Sequence, residues 1–351
     1  MTYYDIAIKK ARELRERGCG NILAIESSCD ETAAAVTRGF KTLGEKVHSQ
    51  IDLHEKYGGV VPEIASRDHV RMMDFVVDDA LSQAGMSLSD IDAVAVTYGP
   101  GLVGALLCGV SYAKALAYSL SLPLYAVNHI EGHICANYMA HEELKPPYIC
   151  LVASGGHSHI VRVDGDGEYR LIGKTRDDAA GEAFDKAARV LGLGYPGGPK
   201  LDALAQSGDA DAFVLPTPRV EGYDYSFSGL KTALLQACAR AEKQGGYRRE
   251  DAAAAFQRAV VTQLRDKLMA AALDQGVDSV AVAGGVAANS GLRKVLAEAC
   301  SEKGLGFFVP PLSLCTDNAR MIGAAAHVML RSGAPSPLTL NAQPSLRLKY
   351  I

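Results

Sequence analysis

The chain has 351 residues, of which 48% are hydrophobic and 22% are charged, and its formal net charge is −4. This length is enough for about two domains, and the composition is that of a folded protein rather than a disordered one. The small negative charge excludes a protein that holds nucleic acid by its overall charge alone, although a local basic patch stays open.

The sequence predicts a cytoplasmic protein without a membrane contact. The longest apolar stretch, residues 101–125, is interrupted by Lys114 and Pro123, whereas a membrane span needs about 20 apolar residues in a row. The N-terminus lacks an apolar signal region. The eight cysteines are scattered without a Cys-x-x-Cys pair, which argues against a disulfide framework or a zinc ribbon and favours a reducing compartment.

The first part of the chain alternates between predicted strands and helices. Residues 6–17 have the spacing of a short basic helix, with Ile6, Lys10 and Leu14 on one side, and we expect a solvated appendage. Apolar segments at 22–25 and 33–36 flank a polar turn and predict a hairpin. Further strands are predicted at 91–97 and 124–127, and helices at 62–84, 103–120 and 128–139. The inner face of the helix at 62–84 is expected to carry Ile64, Val70, Met73, Val77 and Leu81.

After Pro146-Pro147, the best linker candidate, a similar order of elements begins again. Strands are predicted at 148–153, 160–163, 277–283 and 307–309, and helices at 289–300 and 318–330. Hairpins that lead into helices in both halves indicate an α/β fold with two sheets.

His129 and His133 form the sharpest local motif. At a spacing of four residues on a helix, two imidazoles project from one face and can grip one metal ion. Glu131 lies about 200° around the helix from His129, unlike the general base of an HExxH zincin. A structural role for this pair stays open on spacing alone. Asp317, on a turn at a helix start, could be a third ligand or simply an N-cap.

Three glycine-rich turns and several acids complete the candidate functional residues. Amides of such turns can cradle a phosphate, so three of them make a nucleotide site plausible, although the sequence matches neither a P-loop nor a GxGxxG motif. Asp30 and Glu31 at the hairpin tip could orient a nucleophile or be solvated turn acids. Asp185 could bind sugar hydroxyls or form an ion pair near a helix end. The turns are 154–157, 195–199 and 284–289.

Taken together, these motifs resemble one family closely, with every motif in order between residues 21 and 331. They are 25–32 (IESSCDET), 129–133 (HIEGH), 154–157 (SGGH), 181–186 (GEAFDK), 195–199 (YPGGP), 227–232 (FSGLKT), 284–289 (GGVAAN) and 315–318 (CTDN). The chain is identified as a member of the universal tRNA threonylcarbamoyl-adenosine transferase family, once described as glycoproteases. Its length, without a fused kinase, fits the bacterial branch.

The resemblance implies an actin-like ATPase (ASKHA) fold with two ribonuclease-H-like lobes around a nucleotide cleft. Residues 21–145 and 320–351 would form the first lobe and 146–319 the second, with 1–20 as a helical extension. It also implies a reaction in which threonylcarbamoyl-adenylate gives its threonylcarbamoyl group to N6 of the adenosine next to the anticodon, in tRNAs that read ANN codons, and AMP leaves.

The same resemblance implies roles for individual residues. His129, His133 and Asp317 would hold one divalent metal ion, Fe²⁺ or alternatively Zn²⁺. Asp30 and Glu31 would assist the transfer. The adenine nucleotide or threonylcarbamoyl-adenylate would bind to Ala153, Ser154, Gly155, Gly156, His157, Asp185, Gly198, Asp202 and Asn289. Expected partners are tRNA, an inactive paralogue that dimerises through the first lobe, and a small P-loop ATPase.

Two other functions stay open at this point. A metal-dependent peptidase would need a glutamate base beside the metal, and Glu131 is on the wrong side of the helix for that role. An actin-like sugar kinase or regulatory ATPase would have no use for a histidine pair. Sugar phosphorylation, or proteolysis that disappears in His133→Ala, would favour these alternatives.

Overall fold

The structure is a computed structural model that describes residues 2–218 and 220–348. These residues form two compact units: the first comprises 2–142, 166–168 and 316–348, and the second comprises 143–165 and most of 169–315. Residues 2–20 and 316–319 thus belong to the first unit, whereas the boundaries expected from the sequence placed them outside the first lobe.

The described residues form ten strands and eleven main helices. The strands β1 to β10 are Asn21–Glu26, Glu31–Arg38, Lys41–Ser49, Ala93–Gly99, Leu124–Asn128, Tyr148–Ala153, Ser158–Gly165, Glu168–Lys174, Ser279–Ala283 and Gly306–Phe308. The helices α1 to α11 are Tyr3–Arg17, Ile51–Glu55, Pro62–Ala84, Val103–Ser119, His129–Ala140, Ala180–Val190, Gly197–Ala205, Ser228–Lys243, Arg249–Asp274, Ser290–Lys303 and Ala319–Ser332. No helix in the described part of the chain combines the length and the apolar character that a membrane crossing requires.

The two units repeat one sheet topology. The first sheet has the order β3-β2-β1-β4-β5, and the second, taken from its opposite edge, has the equivalent order β8-β7-β6-β9-β10. In the first sheet β1 pairs antiparallel with β2 and parallel with β4. In the second, β6 pairs antiparallel with β7 and parallel with β9. The predicted α/β class and the architectural similarity of the two halves are confirmed.

Buried residues on β1, β4 and β6 explain why these strands could be predicted. Every residue of β1 and of β6 is buried, which is typical of central strands covered on both faces. Each unit has its own apolar core between its sheet and its helices. Because β1, β4 and β5 run parallel, as do β6, β9 and β10, their carboxyl ends lie at one edge of each sheet. The loops that carry the candidate residues begin at these edges.

Two expectations about helix faces were wrong. Val70 of α3 is 69% exposed, because the buried stripe of that helix runs through Ala65, His69 and Met73 instead. The helix α1 is not a solvated appendage, since its buried residues Ala7, Ala11 and Leu14 pack on the first unit. The guanidinium of Arg15 also donates to the Leu330 carbonyl at 3.1 Å, near the end of α11.

Candidate metal centre and glycine-loop site

The predicted histidine pair lies in the first turns of α5. The side chain of Asn128 accepts a hydrogen bond from the Ile130 amide at 2.8 Å and so caps the helix where β5 ends, as predicted. The exposed fraction is 6% for His129 and 0% for His133. Their ring centroids are 4.6 Å apart with the rings nearly perpendicular, so the two imidazoles face a common point from one side of the helix.

Asp317 joins this pair from the turn before α11. Its Oδ1 lies 3.2 Å from Nε2 of His133 and 3.4 Å from Nε2 of His129. The approach of α5 to α11 depends on Gly132, because a Cβ at that position would lie 2.8 Å from Cδ1 of Ile322. The whole group therefore lies within the first unit. The expected lobe boundary at residue 319 had instead placed Asp317 in the second lobe, apart from the two histidines.

The donor set fits a divalent cation. The ligating atoms of His129, His133 and Asp317 all lie within 4.8 Å of one another. Two ligands held about 2.1 Å from a tetrahedral ion are about 3.4 Å apart, close to the separations seen here. Nδ1 of His133 is buried without a hydrogen-bond partner, and Nε2 is buried with Oδ1 of Asp317 3.2 Å away. Burial of a ring nitrogen is costly unless a partner satisfies it, and a cation between Nε2 and Asp317 would do so. Two imidazoles and one carboxylate suit Zn²⁺ or Fe²⁺ and leave open coordination positions. Glu131 does not join the described ligand group.

Charge concentrates at this centre. Burial alone would raise the pKa of Asp317, but the neighbouring His129 and His133 hold that pKa far below its usual value. Burial would lower the pKa of His129, but the carboxylates of Asp317 and Glu26 raise it well above its ordinary value. The same balance, with His129 as the main opposing influence, holds the pKa of Glu26 below normal. The carboxylates are thus ionised and favour a positive charge between them.

The hairpin tip with Asp30 and Glu31 belongs to the same unit. Its backbone is fixed by the Leu102 amide, which donates to the Ser28 carbonyl at 2.8 Å, and by the Gln50 amide, which donates to the Asp30 carbonyl at 3.0 Å. Burial, reinforced by Asp30 and Asp317, raises the pKa of Glu31 well above its ordinary value. Glu31 is therefore easier to protonate than an ordinary glutamate.

Two of the predicted glycine turns meet in the second unit. The turn 154–157 follows β6, and Gly284-Gly285 follows the neighbouring parallel strand β9. The contact is close, because a Cβ on Gly284 would lie 2.4 Å from the Ala153 carbonyl oxygen. The Ser154 amide donates to the His157 carbonyl at 2.8 Å, which closes the first turn. Gly155 and Gly156 are exposed, and nothing lies within 4 Å of a Cβ at either position.

Asp185 connects α6 to the third glycine turn. Its Oδ1 accepts hydrogen bonds from the amides of Gly197 at 2.8 Å and Gly198 at 3.2 Å, at the start of α7. The start of α6 lies against the first turn, where the Gly181 amide donates to the Ser154 carbonyl at 3.1 Å. The structure thus brings Asp185 and Gly198 to the region of the 154–157 turn.

Asp202 and Asn289 cap the same helix, α10. The carboxylate of Asp202 accepts from the Ser290 amide at 3.0 Å and from the Ser290 hydroxyl at 2.8 Å, and it also contacts the Gln257 amide group. Asn289, directly after the Gly284-Gly285 turn, accepts from the Leu292 amide at 2.9 Å. All nine predicted nucleotide residues therefore lie in the second unit, on a strand end, turns and helices that these hydrogen bonds connect.

Comparison with known proteins decides the family. The model of the tRNA N6-adenosine threonylcarbamoyltransferase family, TsaD, matches residues 41–324. A relative of that name from Clostridium botulinum (strain 657 / Type Ba4) is 53% identical over 332 residues, which cover 93% of this chain and 98% of the relative. One from Clostridium perfringens (strain SM101 / Type A) is 54% identical over 331 residues with the same coverage. The chain belongs to the tRNA N6-adenosine threonylcarbamoyltransferase family.

Solved structures with little sequence identity share the fold of this chain. Full-length HypF, in a phosphate- and nucleotide-bound form, aligns with a TM-score of 0.61 at 16% identity over 90% of this chain and 47% of HypF. Component A of (R)-2-hydroxyglutaryl-CoA dehydratase from Acidaminococcus fermentans aligns with a TM-score of 0.52 at 14% identity over 89% of this chain and 99% of that chain. These similarities concern the fold alone, and they confirm the predicted actin-like ATPase architecture.

Two polar residues near the candidate metal centre were missed as candidates. Glu26 ends β1 with 0% exposure and hydrogen-bonds to His129. His69 of α3 is fully buried, and its Nε2 lies 2.9 Å from the Cys29 carbonyl oxygen, so it holds the hairpin tip. An acid at the end of an otherwise apolar strand was the available signal for Glu26, whereas no local pattern distinguishes His69.

Proposed function

We propose that this chain transfers the threonylcarbamoyl group of threonylcarbamoyl-adenylate to the N6 amine of the adenosine next to the anticodon in tRNAs that read ANN codons, with release of AMP. Membership of the transferase family supports this reaction. The observation that carries the proposal is the convergence of His129, His133 and Asp317. A peptidase would need a glutamate base on the open side of the metal, whereas Glu131 does not join the group and Glu26 contacts His129 at Nδ1, away from Nε2. A sugar kinase would not need the histidines.

His129, His133 and Asp317 would hold one divalent cation, Fe²⁺ or Zn²⁺. Such a cation, when bound, acts as a Lewis acid toward a carbonyl oxygen and would favour attack at the carbamoyl carbon. The protein itself supplies a nearly dry site, since both imidazoles are buried. In such surroundings charge interactions are stronger than in water.

The connected loops of the second unit would bind the adenylate. Exposed glycines in the 154–157 turn allow the backbone to approach a phosphate closely. Gly198 presents a similarly open position at the start of α7, because nothing lies within 4 Å of a Cβ there. Asp185, Asp202 and Asn289 would add polar contacts to the nucleoside while they cap their helices.

Asp30 and Glu31 would assist the transfer at the amine. A bond from N6 to the carbamoyl carbon forms while the bond from that carbon to the phosphate oxygen breaks, so AMP leaves with the electron pair and the amine loses one proton. Glu31, whose pKa its surroundings raise, can donate a hydrogen bond in its protonated form, and Asp30 can accept the proton from the amine. An aryl amine is a weak nucleophile, so orientation contributes more here than a strong base.

The partners proposed for the reaction are tRNA, an inactive paralogue and a small P-loop ATPase. Two helices of the first unit that pack on each other, α3 and α4, support a protein contact. They carry exposed large apolar side chains, which mark interaction surfaces when they cluster. The exposed side chains beside the α3–α4 contact at Ser66 are Val70, Val103 and Leu107. Phe75 and Tyr118 are also exposed but lie apart from them, against Lys46 and Tyr3. A Leu107→Asp variant should lose the paralogue in size-exclusion chromatography and keep its bound metal, whereas full binding would refute this surface.

The reaction and its metal are tested together. Purified chain, partner proteins, tRNA, threonine, bicarbonate and ATP are incubated, and the tRNA nucleosides are analysed by mass spectrometry while the metal content of the chain is measured. We expect His129→Ala and Asp317→Ala to lose both the metal and the modified nucleoside. His48→Ala is the matched control, since His48 also pairs with a carboxylate, Asp68 at 2.7 Å, but outside the metal group. Full activity of either site variant would refute the proposal.

The adenylate site is tested with glycines whose Cβ position is open. At Gly155 and Gly198 nothing beyond the adjacent residues and the backbone of the same helix lies within 4 Å of an added Cβ, so the fold should tolerate Gly155→Val and Gly198→Val. Steric conflict with a ligand costs about 1–3 kcal/mol, which is a loss of about 5- to 150-fold in affinity for ADP in calorimetry. Gly229→Val in α8 is the control, because its Cβ position is equally open and no nucleotide role is assigned to it. Equal affinities of the three variants would place the nucleotide elsewhere.

A further inference from the structure

Glu26 is a buried acid that the proposed reaction does not use. It ends β1 at the centre of the first sheet with an exposed fraction of 0%. A fully buried carboxylate is costly unless several donors satisfy it. A buried acid at this place therefore needs a reason: either it holds neighbouring residues in position, or it acts on the site that it contacts.

Three donors surround the carboxylate of Glu26. The Ser28 amide donates to Oε1 at 2.6 Å, and the Thr97 hydroxyl donates to Oε2 at 2.5 Å. Nδ1 of His129 also lies 3.2 Å from Oε2. The Ser28 hydroxyl, 3.2 Å from the same Nδ1, can accept or donate and so does not by itself decide where the ring proton lies.

The carboxylate of Glu26 decides which nitrogen of His129 carries the ring proton. Ionised Glu26 only accepts hydrogen bonds, so the nitrogen of His129 that faces it must carry hydrogen. The opposite nitrogen, Nε2, faces Oδ1 of Asp317 at 3.4 Å, and without a cation that carboxylate favours hydrogen on Nε2 as well. When a cation lies between Nε2 and Asp317, the remaining ring hydrogen is on the nitrogen that faces Glu26. In a neutral imidazole with hydrogen on Nδ1, Nε2 holds the lone pair that a cation needs.

We propose that Glu26 is a positioning residue that holds His129 in the Nδ1–H tautomer and thereby directs Nε2 to the cation. This inference rests on the proposed function, because it needs a cation at His129, His133 and Asp317. Carboxylates that orient metal-bound imidazoles typically contribute 10–100-fold to metal affinity. His133 has no such partner on its own Nδ1, so the orientation of the pair depends on His129.

A glutamine at position 26 would reverse the tautomer. The Ser28 backbone amide is a fixed donor, so the side-chain oxygen of the glutamine must face it. The glutamine NH₂ group then takes the place of Oε2 beside Thr97 and His129. The Thr97 hydroxyl can turn to accept from it, but Nδ1 of His129 can accept only without its hydrogen. The hydrogen moves to Nε2, which can then no longer bind a cation.

The experiment compares wild-type protein, Glu26→Gln and Thr97→Val. Thr97→Val removes a donor to the same oxygen but keeps the carboxylate and its contact with His129. Co²⁺ is titrated into each metal-free protein and followed by its visible absorption, and circular dichroism checks that each variant folds. We expect Glu26→Gln to bind Co²⁺ about 10–100-fold more weakly, and Thr97→Val to bind like the wild type.

Nitrogen NMR of the histidines provides a readout that does not depend on any variant. In the Zn²⁺-loaded wild type, we expect hydrogen on Nδ1 of His129 and the metal on Nε2; the metal on Nδ1 would overturn the inference. Unchanged Co²⁺ affinity in folded Glu26→Gln would also overturn it, while the proposed metal site would stand. No Co²⁺ binding by the wild type would overturn both the metal site and the role of Glu26.

Discussion

Gly284, at the junction of two loops in the second unit, offers the sharpest test of how the proposed adenylate site is built. Its backbone has φ 87° and ψ 170°, a region that is essentially open to glycine alone. The position is buried, and a Cβ there would lie 2.4 Å from the carbonyl oxygen of Ala153. Ala153 ends β6, whose pairing with β9 fixes both backbones. Neither strand can therefore move away without losing hydrogen bonds of the sheet.

The magnitude for Gly284→Ala follows from these two costs. A side chain in this backbone region costs about 1–3 kcal/mol, and overpacking against a fixed neighbour costs about another 1–3 kcal/mol. We therefore expect the free energy of unfolding to fall by about 2–6 kcal/mol. Gly285→Ala is the control, because the adjacent residue is exposed with nothing within 4 Å of its Cβ, and its stability should change by less than about 0.5 kcal/mol.

Urea unfolding followed by far-ultraviolet circular dichroism measures both variants, since the chain has no tryptophan for fluorescence. ADP binding by the variants that remain folded adds a second readout. Gly284→Ala should also lower the affinity for ADP, because the two loops can no longer meet. Equal unfolding midpoints for Gly284→Ala and Gly285→Ala would refute the argument that this backbone contact holds the two loops together.

Three further predictions concern the rest of the chain. Leu14→Ala in α1 should lower the free energy of unfolding by about 2–4 kcal/mol, because Leu14 is 1% exposed, and Ile8→Ala, at 36% exposed, should change it by less than about 0.5 kcal/mol; equal urea midpoints would show that α1 does not pack on the body. Burial, with a contribution from Lys174, lowers the pKa of His159 to about 4. Because a histidine of the unfolded chain has a pKa of about 6.5, the unfolded state takes up the proton first as the pH falls. Up to about 3 kcal/mol of stability is therefore lost between pH 6.5 and 4. His159→Gln should lack that part of the loss in urea titrations over this range, and parallel pH profiles would contradict it. Added Zn²⁺ should raise the melting temperature of the wild type but not of Asp317→Asn, since a ligand stabilises only the state that binds it; equal shifts would place the ion elsewhere.

Helices and strands that are buried on one face or on both faces could be predicted from the sequence. The bounds of α3 and β6 agree with prediction to the residue, because α3 carries an apolar stripe and β6 a continuous apolar run. The strand β3 was not predicted, since it is an edge strand of mostly half-exposed residues and has no apolar run. The long helix α9 was also missed: its run of buried alanines at 252–255 covers more than one face, so no stripe marks it as a helix.

The candidate metal site was only partly predictable from local patterns. The spacing of His129 and His133 predicts two imidazoles on one helix face, and the structure has them there. Nothing in that spacing points to Asp317, which reaches the pair because Gly132 lets α5 and α11 approach closely. Only the order of the motifs along the whole chain, compared with a family, joined the carboxylate to the histidines.

The acids of the second unit show why family motifs and ligand contacts should be tested separately. Asp185 binds the amides of Gly197 and Gly198, and Asp202 binds the start of α10. Each therefore stabilises a helix start whether or not a nucleotide is present, so loss of activity on its substitution would not distinguish a lost cap from a lost ligand contact. An open glycine has no such double role, because its substitution removes no hydrogen bond and adds atoms only where a ligand could lie. Substitutions of Gly155 and Gly198 by valine thus carry more information about nucleotide binding than a substitution of either acid.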